Sequence, residues 1–142
     1  MATRSSTAQW EGDLKSGKGT MTVGKGAYTG PFTFASRFEE GNGTNPEELL
    51  AAAHAGCFSM AFSADLAAAG HTPTRVQTKA TAHLGADPAG GAKISKIELA
   101  VEAQVPGLDN AKFQELAEGA KKNCPVSKLF KGAEIVLSAK LV

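Results

Sequence analysis

A long apolar segment constrains the fold of this chain more than any other feature of its sequence. The stretch "NPEELLAAAHAGCFSMAFSADLAAAG", residues 45–70, contains three acidic residues and neither lysine nor arginine. Asn45 is a typical N-cap, Pro46 suits the first helical position, and Glu48 is placed as in a capping box. A glycine closes the segment, as is common after a helix. The pattern therefore predicts one helix over residues 46–69, roughly 36 Å long.

The large apolar residues of this predicted helix do not keep to one narrow stripe; they are Leu49, Leu50, Phe58, Met60, Phe62 and Leu66. A helix that is apolar almost all round has to be covered on most of its sides. A chain of 142 residues fits one domain, residues 1–142, with a core of its own but little to spare. We therefore expect a second copy of the chain to cover part of this helix.

Charge and composition indicate a soluble protein of the cytoplasm. The net charge is +1, from 15 basic and 14 acidic residues, which argues against nucleic acid as the main partner. The polar residues Glu47, Glu48, His54 and Asp65 argue against a membrane span in the long helix. The N-terminus lacks the apolar region of a secretory signal, so both cysteines are expected to be reduced.

The remaining pattern predicts an α+β fold with an antiparallel sheet. The stretches "STAQWEG", "GTMTVG" and "PFTFASRF" suggest three short strands before the long helix, and "TRVQTKATAHL" and "KIELAVEAQV" suggest two long ones after it. Ile94 is out of phase with Ile97, which indicates a bulge near Ser95. A helix from about Asn110 to Lys122, a short helical turn at "CPVSKLF" and a strand at "AEIVLSAKLV" complete the order βββ-α-ββ-α-(short α)-β.

The two cysteines lie in different settings. Cys57 is in the middle of the apolar helix, where burial alone raises the pKa of a thiol and makes it inert. It needs a cation from elsewhere, and His54, one turn earlier, either supplies it or simply fills the core. Cys124 precedes Pro125 and opens a helical turn among lysines, a setting that favours a thiolate. Electrostatics alone ranks Cys124 as the better nucleophile, and whether the two sulfurs meet stays open.

Three motifs make the chain resemble the OsmC/Ohr family, the osmotically induced and organic-hydroperoxide-resistance proteins. They are "RFEEGNGTNPEELL", "NPEELLAAAHAGCFSMA" and "NCPVSK", and within them "SRFEEG" and "TNPEELLAAAHAGCF" resemble the OsmC branch more than the Ohr branch. The resemblance implies an intertwined homodimer with two active sites at its interface. It also implies a thiol-dependent peroxidase for organic hydroperoxides, with hydrogen peroxide as a further candidate substrate. By motif, Cys57 is the peroxidatic residue, which reverses the electrostatic ranking, and Cys124 is the resolving residue.

The same resemblance assigns the family's arginine to Arg37 and its glutamate to Glu47. Arg37 would stabilise the sulfur anion and polarise the peroxide, and Glu47 would hold the guanidinium group in place. Glu47 and Cys57 are ten residues apart, which is roughly 15 Å along a straight helix. Either the helix breaks after Glu48, or Arg37 and Glu47 serve Cys57 of the other subunit, and we favour the second hypothesis.

An apolar wall around Cys57 would bind the organic part of the peroxide and exclude water. Candidate wall residues are Phe58, Met60 and Phe62, with ordinary core packing as the alternative for each. No cofactor and no metal are expected, because the histidines and cysteines lack ligand spacing. The family resemblance suggests an external dithiol, possibly of the lipoyl type, as reductant. The alternative functions are a non-catalytic redox sensor and a dimer that binds a hydrophobic ligand.

Overall fold

The computed structural model describes residues 1–142, which form six strands and four helices and confirm the α+β class. In chain order these are β1 (Ser6–Glu11), β2 (Lys18–Val23), β3 (Tyr28–Phe32), α1 (Phe34–Phe38), α2 (Pro46–Ala68), β4 (Arg75–Ala86), β5 (Ala92–Gln104), α3 (Asn110–Asn123), α4 (Pro125–Leu129) and β6 (Glu134–Leu141). The residues cluster into two compact units, Met1–Leu49 and Leu50–Val142. The single domain expected over residues 1–142 stays a prediction.

In the first unit, β1, β2 and β3 form an antiparallel sheet in that order. The rings of Trp10 and Phe32 pack on one face of this sheet with their centroids 5.2 Å apart. Gly19 lies beneath both rings, and a Cβ atom there would come within 2.5 Å of the Phe32 ring. Glycine is therefore required at this position so that the two aromatic side chains can pack against the backbone of β2.

The third strand begins earlier in the chain than predicted. The stretch "PFTFASRF", residues 31–38, was expected to be a strand, but β3 ends at Phe32 and the helix α1 follows it. Thr33 and Ser36 form a capping box: Ser36 N donates to Thr33 Oγ1 at 3.1 Å, and Thr33 N donates to Ser36 Oγ at 2.8 Å. These local bonds favour a helical turn over the strand that the aromatic alternation suggested.

The helix α2 runs unbroken from Pro46 to Ala68. The predicted cap is confirmed, because Glu48 N donates to Asn45 Oδ1 at 2.8 Å. The Glu48 carboxylate accepts from the Thr44 hydroxyl at 2.8 Å, however, so it does not complete the expected capping box. By length and composition α2 would be able to cross a membrane, with a mean hydropathy of 1.3 over an 18-residue window.

In the second unit the strand order is β4-β5-β6. The strands β4 and β5 pair antiparallel. Ser95 has no partner on β4, because the register runs from the pair His83–Lys96 directly to the pair Leu84–Ile94, and this confirms the predicted bulge. The strands β5 and β6 pair parallel, unlike the wholly antiparallel sheet that was expected. Parallel neighbours need a crossover connection, and α3 with α4 provides it.

The core of the second unit lies between α2, β5 and α3. Its buried apolar side chains include Phe58, Phe62 and Leu66 of α2, Ile97, Leu99, Val101 and Ala103 of β5, and Phe113, Ala117 and Ala120 of α3. The α2 residues are four positions apart and so form one row on the helix. Other α2 positions, among them Ala52, Gly56, Met60 and Ala64, are exposed. Within one chain, therefore, α2 is covered along a single face.

Candidate active site

Two free thiols meet at the centre of the second unit. Cys57 Sγ and Cys124 Sγ share a hydrogen bond with the sulfurs 2.9 Å apart. A disulfide bond is about 2.05 Å long, so the two sulfurs need to approach by only about 0.9 Å to form one. The sequence left open whether the cysteines meet, and the structure brings them together.

Each cysteine is held by the element that carries it. Cys57 precedes the buried Phe58 on α2 and is itself half-buried. Cys124 is fully buried and lies between α3 and α4: its N–H donates to the Ala120 carbonyl at 2.9 Å, and its own carbonyl accepts from Lys128 N at 3.0 Å. Pro125 starts α4 directly after it, as the "NCPVSK" motif predicted. The helix junction therefore fixes the position of the second sulfur.

The two thiols differ in acidity. Burial and the adjacent Cys124 raise the pKa of Cys57, against a smaller opposing effect of the Val126 N–H. Burial also acts to raise the pKa of Cys124. Hydrogen bonds from Cys57, from the N–H and hydroxyl of Ser127 and from the Val126 N–H outweigh it, so this pKa lies below its ordinary value. Cys124 is therefore the more acidic thiol, which agrees with the ranking by electrostatics. Hydrogen bonds, rather than nearby lysines, lower its pKa. No cationic side chain of residues 50–142 is a leading influence on Cys57.

A buried histidine and serine lie beside the thiol pair. His54, one turn before Cys57, is 0% exposed, and its Nε2 lies 2.7 Å from Ser127 Oγ. The imidazole ring and the Phe130 ring lie nearly perpendicular, with their centroids 5.5 Å apart. Burial lowers the pKa of His54, so the ring is neutral. The sequence singled out His54 but gave no signal for Ser127, which is 73 residues away.

In the first unit, Arg37 and Glu47 form a two-pronged ion pair. Arg37 Nη2 donates to Glu47 Oε1 at 2.7 Å, and Arg37 Nε lies 3.2 Å from each carboxylate oxygen. Glu47 is only 8% exposed. The loop between the two residues is tied down, because Ser36 Oγ donates to the Thr44 carbonyl at 2.7 Å and Asn45 Nδ2 donates to the Ser36 carbonyl at 2.9 Å. The predicted partnership of Arg37 with Glu47 is present.

An apolar cleft of about 250 Å³ opens beside this ion pair. Its lining consists of Trp10, Leu14, Phe32, Thr33, Phe34, Arg37 and Phe38. The guanidinium carbon of Arg37 lies 5.3 Å from the centre of the Phe38 ring. Leu14 and Phe38 are 61% and 46% exposed, so the cleft presents hydrocarbon to its surroundings. The cleft could not be predicted from local sequence, because its lining residues come from β1, the turn after it, β3 and α1.

The three residues predicted to contact substrate are in two different places. Phe58 and Phe62 are 0% exposed and pack on each other and on Phe113, as core residues do. Met60 is 77% exposed. Their contact with substrate stays a prediction. Of the three, only Met60 is accessible to solvent within one chain. No group of three or more His, Cys, Asp or Glu side chains is placed to hold a metal ion.

An α+β fold with two free thiols in contact is typical of a cysteine-based redox protein. The chain belongs to the OsmC-like protein family, whose sequence profile matches residues 39–139. It is 50% identical over 135 residues to the peroxiredoxin OsmC of Escherichia coli strain K12, covering 94% of this chain and 93% of that protein. It is 36% identical over 93 residues to an organic hydroperoxide resistance protein of Xanthomonas axonopodis pv. citri, covering 65% of this chain and 63% of the relative.

Solved structures have the same fold. An organic hydroperoxide resistance protein OsmC from Legionella pneumophila matches with a TM-score of 0.75 and 25% identity over 99% of both chains. An OsmC-like protein of unknown function from Vibrio cholerae matches with a TM-score of 0.78 at 17% identity, over 98% of this chain and 99% of the other, which supports the fold alone. The named relatives support a peroxidase-like, antioxidant role. Proteins of this family are soluble, so we interpret α2 as a core helix.

Proposed function

We propose that the chain is a thiol-dependent peroxidase that reduces organic hydroperoxides, with Cys57 as peroxidatic and Cys124 as resolving residue. The observation that carries the proposal is the contact of two free thiols at 2.9 Å. Relatives named for peroxiredoxin activity and for hydroperoxide resistance support it. The protein would work in the cytoplasm, where an external dithiol keeps both cysteines reduced.

The chemistry takes three balanced steps. The Cys57 thiolate attacks the outer peroxide oxygen, the O–O bond breaks, and the alkoxide leaves as an alcohol after taking a proton. The Cys124 sulfur then attacks the resulting sulfenic acid, and a disulfide forms as water leaves. A dithiol of lipoyl type returns two electrons by thiol–disulfide exchange and restores both thiols. None of these steps requires a metal or a bound organic cofactor.

Cys57 needs a cation for the first step, and we assign this role to Arg37. Without one, burial holds the pKa of Cys57 above its ordinary value, so little thiolate exists. Glu47 precedes Cys57 by ten residues on an unbroken helix, a distance of roughly 15 Å, and Arg37 is tied to Glu47. We therefore propose that Arg37 and Glu47 act on Cys57 of a partner subunit in a homodimer.

The exposed side of α2 supports a homodimer. Ala52, Gly56, Met60 and Ala64 recur every four residues and are exposed. Three of the four side chains are small, which lets a second helix approach closely, and a Cβ added at Gly56 would meet no atom within 4 Å. Gly56 is adjacent to Cys57, so a helix packed on this row would bring partner residues near the sulfur. Met60, the one large apolar residue of the row, is 77% exposed and would be covered by such a helix.

The organic part of the peroxide would bind in the apolar cleft that Arg37 lines. The cleft of about 250 Å³ suits a small alkyl or aryl group, and its aromatic walls favour hydrocarbon. Arg37 would then meet the peroxide oxygens while the cleft holds the tail. Met60 stays a candidate for the opposite wall. An organic hydroperoxide should therefore react faster than hydrogen peroxide.

Turnover distinguishes the peroxidase from the redox sensor, which the contact of the thiols would also permit. The protein is mixed with cumene hydroperoxide and excess dihydrolipoamide, and peroxide consumption is followed. Many peroxide molecules consumed per subunit support the peroxidase. One equivalent consumed, with a stable disulfide, supports the sensor. If native thiols resist both peroxide and alkylating agents, the third alternative, a hydrophobic-ligand-binding dimer with inert cysteines, is favoured.

A mixed dimer tests the composite site. One chain carries Cys57→Ser and the other carries Arg37→Ala. If Arg37 acts across the interface, one site loses both groups and the second stays intact, so activity should be near half that of the unaltered dimer. If Arg37 acts within its own chain, both sites lose one group and activity nearly vanishes, which contradicts the proposal. Dimers with the same substitution in both chains serve as controls and should be inactive in either case.

A further inference from the structure

The buried pair of His54 and Ser127 has no task in the steps above. The two side chains are 0% and 4% exposed, and His54 Nε2 lies 2.7 Å from Ser127 Oγ. The contact joins α2 to α4 across 73 residues of sequence. His54 Nδ1 is buried without any hydrogen-bond partner. A polar group left unpaired in a core is costly, so the arrangement calls for an explanation.

The unpaired nitrogen identifies the tautomer of His54. A buried N–H without a partner is rarer in proteins than an acceptor without one. The proton therefore lies on Nε2 rather than on Nδ1, and Nε2–H donates to Ser127 Oγ. The Ser127 hydroxyl proton is then free to be donated elsewhere. Burial lowers the pKa of His54, so the ring acts as a neutral donor and not as a base.

The free hydroxyl proton is available to the neighbouring sulfur of Cys124. Ser127 follows Cys124 by three residues, across the first turn of α4, so the two side chains lie on the same side of that turn. Its hydroxyl and its backbone N–H are both among the groups that lower the pKa of Cys124. We infer that the donors run in one direction, from His54 Nε2–H to Ser127 Oγ, which is observed, and on from Ser127 Oγ–H toward Cys124 Sγ. Such a chain aims a donor at the sulfur and favours its anionic form.

We propose, resting on the peroxidase function proposed above, that His54 and Ser127 are positioning residues for the resolving step. Once Cys57 has been oxidised, they favour the thiolate form of Cys124, whose sulfur faces Cys57. When Cys57 becomes a sulfenic acid, the Cys124 sulfur donates an electron pair to the Cys57 sulfur and the S–O bond breaks. The departing hydroxide takes the proton that Cys124 has released and leaves as water. His54 acts through Ser127 and touches neither peroxide nor sulfenic acid.

Single-turnover kinetics separate the two steps. Each variant is mixed with one equivalent of cumene hydroperoxide, and peroxide loss and disulfide formation are followed separately by acid quench and mass spectrometry. Ser127→Ala and His54→Leu should slow disulfide formation by about tenfold to a hundredfold, the usual weight of a hydrogen bond to a charged group. Peroxide loss should stay within about twofold of the unaltered protein, because the first step uses Cys57 and Arg37.

Two further variants exclude a general loss of packing. His54→Gln keeps a neutral N–H at the position of Nε2, so it should restore disulfide formation to within about threefold. Ser59→Ala is the matched control: the Ser59 hydroxyl is on α2, like His54, but it lies 2.7 Å from Thr78 Oγ1 and has no hydrogen bond to Cys124. It should change neither step. Equal slowing of both steps in Ser127→Ala, or slowing by Ser59→Ala as well, overturns the proposal.

A titration keeps this inference separate from the peroxidase. In a Cys57→Ser background, Cys124 is the only cysteine, and its thiolate is followed by ultraviolet absorbance as pH rises. Adding Ser127→Ala or His54→Leu should move the midpoint to higher pH, whereas His54→Gln should not. An unchanged midpoint refutes the positioning role even if the protein is an active peroxidase. If the midpoint shifts but the unaltered protein consumes no peroxide, the peroxidase is refuted, and the effect of His54 and Ser127 on the Cys124 thiolate stands.

Discussion

The two regions that carry the candidate site residues are built in opposite ways. In residues 1–49, Arg37 and Glu47 carry full charges, and Arg37 keeps more than a third of its side chain in solvent. In residues 50–142, Cys57, Cys124 and His54 lie in or beside an apolar core, and only hydrogen bonds influence their acidity besides burial and each other. The charged pair therefore lies where water partly solvates it, whereas the thiols lie where little water reaches them.

Under the proposed function, this separation keeps the Cys57 thiol protonated until a cation reaches it. A cation fixed next to Cys57 inside the core would itself have to be desolvated at a cost of several kcal/mol. Holding the guanidinium on a separate, half-exposed turn avoids that cost. In the function proposed above, Cys57 becomes an anion only when Arg37 of a partner subunit reaches it.

Replacing Cys57, the proposed peroxidatic residue, should have the largest effect. Cys57→Ser should lower peroxide turnover by at least about a thousandfold, because a hydroxyl has neither the acidity nor the nucleophilicity of a thiol. Cys124→Ser should consume about one peroxide per subunit and then stall. Turnover in excess dithiol measures both. Substantial activity in Cys57→Ser together with none in Cys124→Ser would exchange the two roles.

The core of residues 50–142 should depend on its aromatic packing far more than the cleft of residues 1–49 does. Phe62→Ala should reduce the free energy of unfolding by about 3–5 kcal/mol, since Phe62 is 0% exposed. Phe38→Ala should cost much less, because Phe38 is 46% exposed, but should raise the KM for cumene hydroperoxide. Urea denaturation and steady-state kinetics test the pair. A reversed order would show that the cleft, not the core, holds the fold together.

The guanidinium should respond to substitution in a graded way, unlike the sulfur. Arg37→Lys keeps the charge but loses the fork that pairs with both Glu47 oxygens, so turnover should fall about tenfold to a hundredfold. Secondary structure and unfolding midpoint should hardly change. Stopped-flow measurement of Cys57 oxidation is the readout. An Arg37→Lys protein with unaltered rates would show that charge alone suffices.

Acidification should weaken the second unit through His54. Burial holds the folded pKa of His54 below its ordinary value of 6.5, so below that pH the unfolded chain binds a proton that the folded chain does not. Stability should fall by up to about 1.4 kcal/mol per pH unit below 6.5 until the folded pKa is reached. Urea unfolding at several pH values, compared with His54→Gln, isolates this effect, and equal slopes for both proteins would contradict it.

The smallest effects should come from the helix caps. Asp109 accepts from Lys112 N at 2.9 Å at the start of α3, and Asp109→Ala should cost about 1 kcal/mol. Asn45 caps α2 and also donates to the Ser36 carbonyl, so Asn45→Ala should cost more and also slow Cys57 oxidation by loosening the Arg37 turn. Thermal unfolding and single-turnover rates compare the two. Identical losses would mean that the second Asn45 bond adds nothing.

Much of the molecule was predictable where the signal is local. The N-cap of α2, the bulge at Ser95, the short helix after Cys124 and the alternation of β6 follow from neighbouring residues. Contacts between residues that are far apart in the sequence could not be predicted from it. The parallel pairing of β6, the aromatic cleft and the hydrogen bond from His54 to Ser127 each depend on how separate elements meet. The helix α1 was not predicted, because the alternating aromatic residues suggested a strand and outweighed the capping box of Thr33 and Ser36.

The connection between the parallel strands β5 and β6 contains Cys124, so the sheet holds this cysteine from both ends of the crossover. The same crossover is fastened to β6 along its length, because Gln114 Nε2 of α3 donates to the Ala139 carbonyl at 2.7 Å. A shift of β6 along β5 would therefore be transmitted through α3 to Cys124, and the register of these two strands helps to set the gap between the two sulfurs.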